Sequence, residues 1–302
     1  MTEKREIYTV KAFTTDPAGG NAAAVVPDAA GLSEEQMLAI ACVMGFSETA
    51  FVLPTDVPEA AFRLRWFTPA VEVSLCGHAT IATLKVLADL GRVPVDGTPS
   101  KFEALAGVLR VSVERDRQRQ VHRLQVPVPE FHPFKLSDEK AKYLFGFYDS
   151  DRMSIWPMMA TTNDPYFPSI GLSTLRKLRP DWARMKADPD YGTACFFTGE
   201  TVELGHTWHC RFFAPRLGIN EDPVTGAING PLGAYYYQFV DTHKPSRAEY
   251  IGEQGDIINC PGRVYVTVEG NGSTAADVEI GGEAVVTGRE PLDDVIQRIS
   301  RL

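Results

Sequence analysis

Arg65-Trp66-Phe67-Thr68-Pro69 returns 146 residues further on as Arg211-Phe212-Phe213-Ala214-Pro215, and each copy is followed by a polar loop, a glycine and a long helix-compatible run. Self-similarity of this kind constrains the fold more than composition does, because each half must then build the same supersecondary unit. Other signals keep the same order. Gly31-Leu32-Ser33 opens a segment through Met44 in which Ser33 and Gln36 make a capping box and Met37, Ile40, Ala41 and Met44 share one apolar face. Gly171-Leu172-Ser173 opens a counterpart helix that reaches Met185. Thr49-Ala50-Phe51-Val52 and Thr193-Ala194-Cys195-Phe196 follow, 144 residues apart, and both are apolar enough for buried strands.

Each half therefore reads as strands, an amphipathic helix, more strands and a central helix. The first central helix is expected from Gly77-His78 to about Leu90, with Gly91 as its stop, and the second from Gly226-Ala227 through Tyr237. Strand patterns over residues 102–113 and 122–126 close the first half, and the proline-rich stretch 127–133 reads as a linker. Late strands are expected at 264–268, 278–280 and 284–286, separated by the turn Gly270-Asn271-Gly272-Ser273, before Pro291 starts a terminal helix. The predicted organisation is residues 1–126, completed by 288–302, and residues 127–287, with a cleft between the halves that faces both central-helix starts.

Charge narrows the class of partner. With 39 acidic against 30 basic residues the chain carries −9, which disfavours a phosphate-tracking surface and so nucleic acid. No stretch approaches the ~20 apolar residues that span a bilayer, and Met1-Thr2-Glu3-Lys4-Arg5-Glu6 offers no apolar signal-peptide core. Cys42, Cys76, Cys195, Cys210 and Cys260 are odd in number and scattered, so reduced thiols in a cytoplasmic protein are expected. His78, His122, His132, His206, His209 and His243 form no convincing ligand set and no GxGxxG loop is present, so neither metal nor cofactor is expected.

Two loops end in glycine where a helix should begin: residues 68–80 and 220–227. Unpaired backbone N–H groups and a positive dipole end would there meet a carboxylate, unless Ser74, Asp222 and Thr225 simply cap the helices. Glu48 borders an apolar strand, where desolvation would raise its pKa into a useful acid/base range, or it faces solvent at the strand's end. His78 at a helix start either orients a ligand or caps its own helix, and the dipole there favours its neutral form.

These residues carry a family resemblance. Tyr8-Thr9-Val10-Lys11-Ala12-Phe13 with Gly20-Asn21, Ser47-Glu48-Thr49-Ala50-Phe51-Val52, Phe67-Thr68-Pro69 with Cys76-Gly77-His78-Ala79-Thr80, Glu221-Asp222-Pro223-Val224-Thr225-Gly226, Gln254-Gly255-Asp256 and Ile280-Gly281-Gly282-Glu283-Ala284-Val285 resemble, in order and spacing, the motifs of the PhzF-like family. The resemblance implies an α+β, diaminopimelate-epimerase-like fold of two pseudo-repeated domains, each with a central helix wrapped by a curved, mostly antiparallel sheet. It implies a cofactor-independent isomerase, active as a homodimer, in which Glu48 moves a proton on a small carboxylate. Gly20, Asn21, Gly77, His78, Asp222, Gly226 and Ala227 match positions that hold the substrate.

The chain departs from the family pattern at Ala227, where the phenazine enzyme has serine, and in lacking an arginine after Gln254-Gly255. Two alternatives stay open. An amino-acid racemase or epimerase would use facing cysteines, but Cys76 has only Pro223 in the opposite loop and reads better as a packing residue. A binding member that has lost catalysis is the other, motivated by Ala227.

Overall fold

Contacts divide the chain into two compact units, one running to Gln125 and resuming at Ile280, the other spanning Val126–Glu279. A computed structural model describes residues 5–115, 117–146, 155–162 and 164–300. The first four residues of the charged N-terminal stretch and the last two of the C-terminal segment lie outside the described residues.

In the first unit β1 (Glu6–Ala12) pairs antiparallel with β2 (Asn21–Val26), and β2 runs parallel to β3 (Thr49–Leu53). A parallel pair needs a crossover, and α1 (Glu34–Met44) supplies it. Its capping box forms as read: the Ser33 side chain accepts from the Gln36 N–H and the Gln36 side chain accepts from the Ser33 N–H, while Gly45 ends the helix at φ 68°. Met37, Ile40 and Ala41 are its buried face. Next, β3 pairs antiparallel with β4 (Phe62–Phe67), which turns back into β5 (Glu72–Val73). After α2 (Gly77–Asp89), β6 (Ser100–Ala104) lies parallel to β4 and leads into the antiparallel strands β7 (Gly107–Arg115) and β8 (Gln120–Val126). The strand pattern over 102–113 resolves into the hairpin of β6 and β7. Gly107 at φ +111° takes a backbone conformation that other residues avoid, and the chain reverses there.

The second unit repeats the ladder. Short strands β9 (His132–Pro133) and β10 (Met159–Ala160) flank α3 (Asp138–Phe145) in sequence, and β10 pairs with both β9 and β11 (Pro165–Pro168). The helix expected as one piece to Met185 is two, α4 (Leu172–Lys177) and α5 (Trp182–Ala187). Leu178 leaves helical geometry at ψ 132°, Pro180 has no N–H with which the first could resume, and the Asp181 side chain caps the second. Then β12 (Ala194–Thr198) runs parallel to β11 and antiparallel to β13 (Trp208–Ala214), which pairs with β14 (Ile219–Asp222). After α6 (Gly226–Phe239), β15 (Arg247–Gln254) lies parallel to β13 and antiparallel to β16 (Gly262–Gly270). The order parallel, antiparallel, antiparallel, parallel, antiparallel is that of β2 to β7.

From β17 (Ala275–Gly282) the chain returns to the first unit, where β18 (Ala284–Pro291) pairs with the other edge of β1 and α7 (Leu292–Ile299) packs on α1. Pro291 stands one position earlier than expected, as N-cap.

Each central helix is held by strands on several sides. Ten of the thirteen α2 positions are buried, which requires packing all round it, and β1, β2, β3, β7 and β18 provide that packing. On α6, a Cβ at Gly233 would lie 2.4 Å from Val266 Cγ1, so the glycine sets how closely helix and β16 approach. A matching clamp precedes both helices. Arg65 donates to both Glu72 oxygens at 2.7 and 2.6 Å and lies 5.0 Å over the Phe67 ring. Arg211 donates to both Glu221 oxygens at 2.8 and 2.7 Å and lies 4.8 Å over Phe213. Bidentate, largely buried pairs of this kind fix geometry as well as energy. Each ties the returning strand that feeds its central helix.

Candidate active site

Helix α2 starts where β5 has brought the chain back, and Cys76 is its N-cap without any side-chain cap bond. Ser74 therefore does not cap, and the positive end of the helix keeps N–H groups that no N-cap side chain satisfies. His78 sits in the first turn, buried. Its Nε2 lies 3.3 Å from Glu48 Oε2 and 3.4 Å from Ser47 Oγ, while its Nδ1 lies 3.5 Å from Cys76 Sγ.

Glu48 ends the connection from α1 to β3, and its carbonyl accepts from the Ala24 N–H of β2 at 3.3 Å, which pins its backbone to the sheet. Its side chain is only 17% exposed. Among the described residues Oε2 is buried and accepts no hydrogen bond. A buried carboxylate oxygen without a donor costs about 1–3 kcal/mol or more, which a folded chain keeps only for a reason.

Gly20 and Asn21 enter β2, the strand beside β3. A Cβ at Gly20 would lie 2.3 Å from the Ala12 carbonyl, and its φ of +64° is left-handed, so glycine is required there on both counts. Asn21 is buried.

In the second unit, Asp222 closes β14 and Thr225 is the N-cap of α6, again with no side-chain cap bond. The Thr225 hydroxyl donates instead to the Asp222 carboxylate. Gly226 is buried and Ala227 exposed. Pro231, inside α6, has no N–H for the Ala227 carbonyl four residues back.

Sequence reasoning saw Gln254 only as part of a motif; the structure makes it the anchor of this loop. Its Nε2 donates to the Asp222 carbonyl at 2.9 Å and to Thr225 Oγ1 at 3.0 Å. Its Oε1 accepts from the Thr225 N–H at 3.0 Å and from Asn229 Nδ2 at 2.9 Å. Trp208 Nε1 completes the chain at Asn229 Oδ1, 2.9 Å away. Gly255 follows at φ +89°, where a Cβ would lie 2.1 Å from the Cys260 carbonyl.

His206 and His209 converge on Glu253, an element no motif had signalled. The buried carboxylate accepts from the Val202 and Glu203 N–H groups at 2.7 and 2.8 Å and faces His206 Nδ1 and His209 Nδ1 at 2.8 and 3.0 Å. Burial opposes its charge, but these donors prevail and hold its pKa down to about 2. Glu203, His206 and Glu253, or His209, Glu253 and Asp256, bring donor atoms within metal-binding distance, yet an ion on Glu253 would have to displace bonds already made. Glu48, Cys76 and His78 are a third such set.

A family model described as phenazine biosynthesis-like protein, PhzC-PhzF, matches residues 10–289. The isomerase YddE of Escherichia coli K12, itself described as uncharacterized, is 34% identical over 296 residues, covering 94% of this chain and 96% of that protein. The crystal structure of the Bacillus anthracis phenazine biosynthesis protein of the PhzF family superposes with a TM-score of 0.86 at 30% identity, covering 96% of this chain and 99% of that one. A predicted epimerase of Pseudomonas aeruginosa, PA4716, gives 0.73 at 24% identity, covering 95% and 99%, and speaks for the fold alone. The fold is the diaminopimelate-epimerase-like α+β class.

Proposed function

This chain belongs to the PhzC-PhzF family of phenazine biosynthesis-like proteins and is an isomerase, and on that premise we propose that it moves a proton on a small carboxylate substrate with Glu48 as general acid and base. One observation carries the reading: Glu48 Oε2 is buried beside His78 and accepts no hydrogen bond among the described residues. An oxygen in that state has a lone pair available for a substrate C–H proton, and the substrate supplies the contact the fold omits. The uncapped start of α2 suits the substrate's carboxylate or the oxyanion that forms as the proton leaves. Gly20, Asn21, Gly77, His78, Asp222, Gly226 and Ala227 are the proposed substrate contacts. The reaction needs no metal, flavin or nicotinamide in this reading, and the working form is a cytoplasmic homodimer.

Incubating candidate cyclic and amino-acid-like acids in deuterium oxide tests this directly. Label uptake should follow the wild type and fall by ~10²-fold or more in Glu48→Gln, the usual scale for a lost acid/base group. Equal uptake by the folded variant would remove Glu48 from the mechanism. The racemase alternative finds no second thiol at the start of α6, whose N-cap is Thr225. Exposed Ala227, which lacks the family's hydroxyl, favours a binding-only member as the second reading; it predicts ligand binding with no exchange at all.

A further inference from the structure

In its catalytic meaning this inference rests on the proton-transfer reading, but its test does not. We propose that Cys76 is a positioning residue that biases His78 toward the tautomer with its proton on Nε2, the nitrogen that faces Glu48 and the substrate.

A neutral imidazole has one N–H and one lone pair, and its neighbours decide which nitrogen carries which. On one edge, His78 Nε2 faces Glu48 Oε2 at 3.3 Å and Ser47 Oγ at 3.4 Å; an ionised carboxylate can only accept, and the hydroxyl can accept as well as donate. A lone pair turned toward the carboxylate would be repelled, which favours the proton on Nε2. Nδ1 is then an acceptor inside the protein, where an unpaired acceptor costs free energy. The group in reach is Cys76 Sγ at 3.5 Å, within hydrogen-bond distance for sulfur, and a thiol is a weak donor. Cys76 is buried at the N-cap position and uses no side-chain bond to cap α2, so its side chain does not serve the helix end. Serine or threonine would be the ordinary choice for capping.

The consequence is a division of labour. His78 holds Nε2–H beside the uncapped helix start, and the two offer donors to a substrate oxygen that gains negative charge. Glu48 alone exchanges the proton.

The protein has six histidines, so isotope-labelled histidine gives few signals in a long-range proton–nitrogen correlation spectrum, and His78→Gln identifies the relevant one. In its neutral form wild-type His78 should show the Nε2–H pattern. Cys76→Ala should raise the share of the Nδ1–H form, since the carboxylate alone then favours Nε2–H, and Cys76→Ser, which keeps a donor, should restore the wild-type pattern. Unchanged signals from the buried His122 and His209 report that the variants are folded. Turnover should fall two- to tenfold in Cys76→Ala, the scale of one lost hydrogen bond, and recover in Cys76→Ser. An Nδ1–H pattern in the wild type, or a Cys76→Ala spectrum identical to it, overturns the proposal. Full turnover in Glu48→Gln, with the tautomer results as expected, would overturn the proton-transfer reading and leave this one standing.

Discussion

Replacing Glu253 by glutamine tests whether the buried carboxylate is a main support of the second unit. Its pKa falls from 4.5 to about 2 on folding, and its side chain is fully buried. At about 1.4 kcal/mol per unit, the shift corresponds to about 3 kcal/mol of stability at neutral pH. The folded value lies below the unfolded one, so this stability is present above about pH 4.5 and is lost as the pH falls toward 2. At pH 3.5 the linkage relation removes about 1.4 kcal/mol of it. Glutamine leaves one oxygen to accept and turns an NH2 group toward donors. Urea unfolding at pH 7 should therefore show Glu253→Gln destabilised by about 3 kcal/mol, and the gap to wild type should narrow by about 1.4 kcal/mol at pH 3.5. His122, held down to about 4 by burial, costs both proteins stability as the pH falls from 6.5 through 4, so it cancels in the difference. A gap that stays constant between pH 7 and 3.5 would refute the assignment of that stability to the charged carboxylate.

Gln254→Leu should cost about 3 kcal/mol or more, because it strips partners from the Thr225 N–H, Asn229 Nδ2 and the Asp222 carbonyl at once; an unfolding midpoint equal to wild type would count against the anchor role. Ala227→Ser, at an exposed position, should leave the melting temperature in place while shifting substrate preference two- to tenfold, measured as KM for paired acids with and without a group that can accept from the added hydroxyl. Exhaustive chelation, with no nicotinamide or flavin added, should leave turnover intact; stoichiometric metal by elemental analysis, with activity lost on its removal, would reverse that expectation.

The sequence by itself determined the duplicated plan. The recurrence of Arg65-Trp66-Phe67 at Arg211-Phe212-Phe213, the capping box at Ser33 and Gln36 and the glycine-led starts of α2 and α6 are local, periodic signals, and local signals survive in a string of letters. Glu48 and His78 were legible only through motif order, since nothing within either segment says that residues 30 apart will stand 3.3 Å from each other. Tertiary structure decided the rest. The partners of the two arginines, Glu72 and Glu221, stand 7 and 10 residues along from them, so the unequal loops hid the repeated clamp that space restores. Gln254 holds a loop 29 residues earlier, and His206 and His209 meet Glu253 across more than 40 residues. Such bonds pair groups brought together by β13 and β15 lying side by side in parallel, a contact with no periodicity of its own. Whether Ser74 or Thr225 would cap was open for the same reason: Thr225 is equally suited to capping and to bonding Asp222, and the positions of Gln254 and Asp222 around it select the second.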